Sequence, residues 1–191
     1  MKKILLTASI LLLSLTALAQ NEHLSFKGVP IDGPRKTFIS EMREKGFEYV
    51  GDKEDISVLT GDFAGYKNCS VAVTTLTNKD LVAEIIVIFP DKTGWAALES
   101  DYDNLLEMLT LKYGKPSVDS KEWENCNPED DMQKLYQLAM DRCKYGALFE
   151  TEHGTIELML TRNDFTSGCA ILRYRDKTNR ETIYQAAVDD L

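Results

Sequence analysis

A chain of 191 residues with 31 Asp and Glu against 22 Lys and Arg, a formal charge of −9, can build one ordinary domain or two small modules sharing a core. Such an acidic balance repels polyanions, which disfavours nucleic acid and anionic membranes as partners, because phosphate binding rests on Lys and Arg. The 11 glycines are scattered at expected turns and helix ends rather than gathered in a phosphate loop, so no nucleotide cofactor is expected.

The chain opens with Lys2 and Lys3, an apolar run from Ile4 to Leu15, and Ala17-Leu18-Ala19, the three parts of a secretory signal peptide. Residues 1–19 are expected to be removed after Ala19, and the apolar run is too short to remain as a spanning helix. Loss of two lysines leaves 20 basic against 31 acidic residues, a formal charge of −11. The mature protein is therefore expected to be periplasmic or secreted, with no membrane span.

Asp32-Gly33-Pro34 reads as a helix entry, with Asp32 or Gly33 as cap and Pro34 in the first turn. Phe38, Ile39 and Met42 form the apolar stripe of that helix, and Gly46 ends it. Alternation over Cys69–Leu76 and the two-sided apolar run Leu81–Phe89, broken only by Glu84, predict a hairpin turned at Thr77–Asp80. Its second strand should hold a central place in a sheet. Thr93 is the expected cap of a longer helix whose stripe runs from Trp95 through Leu98, Tyr102, Leu105 and Leu109 to Tyr113, stopped by Gly114 and Pro116. Asp101 and Asp103 are read as its solvent side.

Asp119–Asp131 reads as an acidic loop, and Met132–Asp141, ambiguous between periods, is assigned to a strand. Tyr145–Thr151 and Thr155–Thr161 predict a hairpin around His153-Gly154, with Ala170–Tyr174 as its antiparallel neighbour. A last helix is expected over Thr178–Leu191, with Ile183, Ala186, Ala187 and Leu191 on one face. The predicted class is α+β: tandem modules of a helix and an antiparallel sheet, over about 24–90 and 91–177, with the helices on one face of the sheet.

No assembled catalytic or metal motif appears. His23 and His153 are the only histidines, without HExxH or GxSxG, and the acidic loop lacks the glycine and regular spacing of a calcium loop. A small secreted hydrolase using acids dispersed over separate strands, and a structural envelope component, are the alternative readings. Cys69, Cys126, Cys143 and Cys169 permit two disulfides in three connectivities, since export places them in an oxidising space. Trp123, among acids beside Cys126, is either a plug over the core or an exposed contact; Arg173 and Arg175 share one face of a strand within a modest positive patch.

Four segments, Phe26–Gly33, Gly61–Cys69, Lys112–Pro116 and Phe149–Ile156, carry a resemblance to a group of small exported proteins from Gram-negative gut bacteria. The alternation of helix and antiparallel strands resembles the tandem arrangement of β-lactamase inhibitory proteins, which implies a concave sheet surface that grips another protein. The family resemblance implies bridges joining Cys69 to Cys143 and Cys126 to Cys169. The expected function is an exported binding or inhibitory module, not an enzyme, without cofactor. Its partner would be another extracytoplasmic protein, and Trp123, Tyr66, Arg173 and Arg175 are the candidate contacts.

Overall fold

The structure, a computed structural model, describes residues 23–54, 56–75, 80–164 and 166–189. The predicted leader lies outside the described residues, as do turn residues 76–79 and the side chains expected to form the apolar face of the last helix. The chain is α+β. A two-residue ladder, β1 (Ser25–Phe26) with β2 (Val29–Pro30), precedes α1 (Arg35–Glu44), β3 (Glu48–Lys53), β4 (Ile56–Phe63), β5 (Tyr66–Thr75) and β6 (Val82–Ile88). Then come α2 (Trp95–Tyr113), β7 (Val118–Trp123), α3 (Asp131–Ala139), β8 (Cys143–Thr151), β9 (Gly154–Arg162), β10 (Gly168–Asp176) and α4 (Lys177–Asp189).

Strands β3 to β10 make one antiparallel sheet in the order β3-β4-β5-β6-β10-β9-β8-β7. Each half is a four-stranded meander preceded by a helix, and the last strand of each half meets the other at the centre. The two-sided apolar character of Leu81–Phe89 is explained by this position, since β6 pairs with β5 and β10.

Alternation divides the sheet into two faces. On one, Leu59, Val71, Val73, Ile85, Val87, Leu172, Tyr174, Ile156, Leu158, Ala147 and Phe149 are all buried in one core. Helices α2 and α3 lie over this face, because a Cβ on Gly168 of β10 would point at Leu98 of α2 and Leu138 of α3. The stripe predicted for α2 supplies Trp95, Leu98, Tyr102, Leu105 and Leu109 to the core. No helix among the described residues is long and apolar enough to cross a membrane.

Several expectations are corrected. Pro34 is itself the N-cap of α1, and the Arg35 N–H is met by Asp80 Oδ1 at 3.1 Å; Gly94, not Thr93, caps α2. Met132–Asp141 is not a strand, because Asp130 accepts from Gln133 N at 2.8 Å and Gln133 Oε1 accepts from Glu129 N at 3.1 Å, an N-terminal cap that starts α3. The polar stretch after Gly46 holds β3 and β4, joined to β5 by a two-residue turn in which Ala64 and Gly65 have φ of 51° and 85°. Part of the acidic loop is the edge strand β7.

The expected disulfides are also corrected: all four cysteines are free thiols. Cys69 on β5 and Cys143 on β8 are four strand spacings apart, about 19 Å, far beyond a bridge. Cys169 on β10 points away from the core face, while Cys126 follows the far edge strand β7.

The β8–β9 hairpin is locked against β10 at Gly154, where any Cβ would stand 2.1 Å from the carbonyl oxygen of Arg175. Gly154→Ala is expected to destabilise the protein by about 2–4 kcal/mol, measured by urea unfolding; an unchanged midpoint would show that this contact is slack.

Candidate functional site

The second face of the sheet is polar at its centre and apolar at its flanks. Register places Glu84 of β6 opposite Arg175 of β10, and Arg173 of β10 opposite Glu157 of β9. Arg175 Nε donates to Glu84 Oε2 at 2.8 Å, Arg175 Nη1 lies 3.3 Å from Glu157 Oε2, and Arg173 Nη1 donates to Glu157 at 3.2 Å. Arg173 Nε lies 3.8 Å from Glu84 and makes no hydrogen bond, so its contact there is ionic only. Each arginine thus touches both carboxylates, and the four side chains are between 25 and 32 % exposed. Formal charge cancels within the group, so the expected positive patch is neutralised at Arg173 and Arg175.

Apolar side chains flank these charges in the same phase of the strands: Ile86 and Ile88 of β6, Ile171 of β10, Met159 of β9, Leu148 of β8 and Val118 of β7. Ile88 and Val118 are 39 and 53 % exposed. Two shallow hollows of about 500 and 450 Å³ lie along this face and share Thr161 and Arg162. A third, of about 520 Å³, lies where Arg180, Glu181 and Tyr184 of α4 meet Arg175 and Thr155.

The other two candidate contacts sit elsewhere. Trp123 is half-buried, its ring 4.9 Å from Trp95 and 5.7 Å from Tyr145, in the position of a plug over the core. Beneath it Glu99 accepts from Trp95 Nε1 at 3.0 Å and Tyr145 Oη at 2.9 Å. Tyr66 is half-buried and donates to Asp101 at 3.2 Å. Asp101, expected on the solvent side of its helix, is instead buried and paired with Lys92 Nζ at 3.3 Å; Asp103 is the exposed one, hydrogen-bonded to Lys121.

The remaining polar clusters serve structure. His23 Nδ1 lies 3.1 Å from Asp176 Oδ1 and Nε2 lies 3.5 Å from Asp32. The fully buried Asp176 also accepts from Leu24 N and Asn179 N, so the group ties the start of the described chain to α4. His153 is in the hairpin turn, 3.9 Å from Glu152. Among the described residues no three His, Cys, Asp or Glu side chains converge as metal ligands.

Sequence reasoning found the two arginines but not Glu157 as their partner. The available signal was Glu84, a lone charge in an apolar run, which implies an opposite charge across the ladder. The chain matches no protein-family model, no curated protein and no solved structure.

Burial raises the thiols from an ordinary 9.0, to about 11 for Cys143 and about 12 for Cys169. An acid held more tightly when folded stabilises the protein fully below pH 9 and loses that effect as pH rises towards 11 to 12. Stability of the reduced protein should therefore fall across this alkaline window. At pH 8, iodoacetamide should label Cys143 and Cys169 at least ~100-fold more slowly in the folded than in the urea-unfolded reduced chain. Equal rates would reveal accessible thiolates at these two positions.

Proposed function

We propose that the protein is a non-enzymatic extracytoplasmic binding or inhibitory module that holds another protein against the second face of its sheet, the one turned away from the core. The observation that carries this reading is the composition of that face: four interlocked charges fixed in place by one another, flanked by aliphatic side chains of which Ile88 and Val118 are exposed and Ile171 is buried. Fixed charges choose a partner by what they repel as well as by what they attract. Apolar flanks supply the area whose burial drives association. A sheet with one face sealed in the core is rigid, so little conformational entropy is lost when the other face is covered.

The open hollows and the fully paired central acids favour a macromolecular partner over a small substrate, which would call for an enclosed pocket with convergent free groups.

Capture of a partner from envelope extract by the immobilised protein should weaken at least tenfold for Ile88→Glu and Val118→Glu, with unchanged circular dichroism. Leu111→Glu, at an 80 % exposed position on α2, should capture normally. The reading fails if all three variants capture alike, or if the purified protein instead turns over a substrate and loses that turnover in Glu84→Gln or Glu157→Gln.

A further inference from the structure

The sheet leaves one pair of cysteines that can meet. Cys69 faces the core from β5, two strands from Cys169 on β10 and on the opposite face, and four strands from Cys143 on β8. Cys143 and Cys169 are likewise two strands apart, on opposite faces. Cys126 belongs to the far edge of the sheet, and Cys143 stands at that edge's neighbouring strand.

Local geometry brings these two together. Cys143 is the register partner of Trp123 across β7 and β8. One residue further, Glu124 N donates to Arg142 O at 2.8 Å, so the two chains are still joined there. Asn125 then adopts a φ of 55°, a left-handed turn that keeps the next residue near the end of the ladder. Cys143 is packed against the core from this end, and the nearness of Cys126 contributes to the upward shift of its thiol.

We propose that Cys126 and Cys143 are joined in the protein's single intramolecular disulfide on exposure to a disulfide oxidant, while Cys69 and Cys169 remain thiols. The Cys126 thiolate attacks a small-molecule disulfide such as oxidised glutathione and expels one thiolate. The Cys143 thiolate then displaces the second from the mixed disulfide, so two protein thiols are oxidised and one small disulfide is reduced to two thiols. The bond closes the segment that carries α3, about seventeen residues along the chain, and fixes it at the edge of the hollow lined by Leu138, Asp141 and Cys143. It does not depend on the proposed binding role.

The test is to incubate the full-length reduced protein with oxidised glutathione, alkylate it unfolded without reduction, and map the digest by mass spectrometry. The expected result is a cross-linked peptide pair holding Cys126 and Cys143, with Cys69 and Cys169 alkylated. The melting temperature should drop by roughly 5–10 °C on reduction, and this drop should be absent in Cys126→Ser. Four alkylated cysteines, a stable glutathione adduct on Cys126, or a bridge between any other pair would overturn the assignment.

Discussion

The structure depends on the seam between β6 and β10. Each strand ends one meander, and their pairing from Glu84 with Arg175 to Ile88 with Ile171 makes two four-stranded sheets into one of eight. The seam also aligns the core, since Ile85 and Val87 fall beside Tyr174 and Leu172 on the buried face. A shift of one residue would move every one of these side chains to the other face. The register is therefore set by burial on one side and by the Glu84–Arg175 contact on the other.

The same seam places the charges of the second face. Arg173 and Arg175 project from β10 between Glu84 on one neighbour and Glu157 on the other, so each guanidinium has carboxylates on both sides. Isolated exposed ion pairs contribute little to stability, but four charges at the centre of a sheet hold one another's rotamers. What this arrangement offers is a patterned surface whose polar groups keep their places when water is displaced. Helix α2 makes the face possible in another way: it carries the chain from the centre, after β6, to the far edge at β7, and covers the core side on the way.

Strong periodicity was legible in the sequence and weak periodicity was not. The α2 stripe and its Gly114 stop, the Pro34 entry to α1, the β8–β9 hairpin and the alternation of β10 were each read within a few residues of where they lie. Strands β3 and β7 were missed because they are edge strands: Glu48, Asp52 and Lys53, or Asp119, Lys121 and Glu122, place charge where alternation would show. Helix α3 was misread because Tyr136, Leu138 and Met140 alternate as in a strand while Leu135 and Ala139 keep helical spacing, and its cap pair Asp130 and Gln133 went unused. At the site, the common face of Arg173 and Arg175 followed from period two. The partnership with Glu84 and Glu157 depended on which strands become neighbours, and sequence order does not reveal that. The cysteine pairing taken from resemblance failed for the same reason.

Native-state hydrogen exchange resolved by residue tests the central seam most directly. If the two meanders are one cooperative sheet, the ladder amides of β6 and β10 exchange last and together, with the same free energy as global unfolding. Exchange of one meander well before the other, with the seam amides of Ile85, Val87, Leu172 and Tyr174 unprotected in a population where half of the sheet persists, would contradict it.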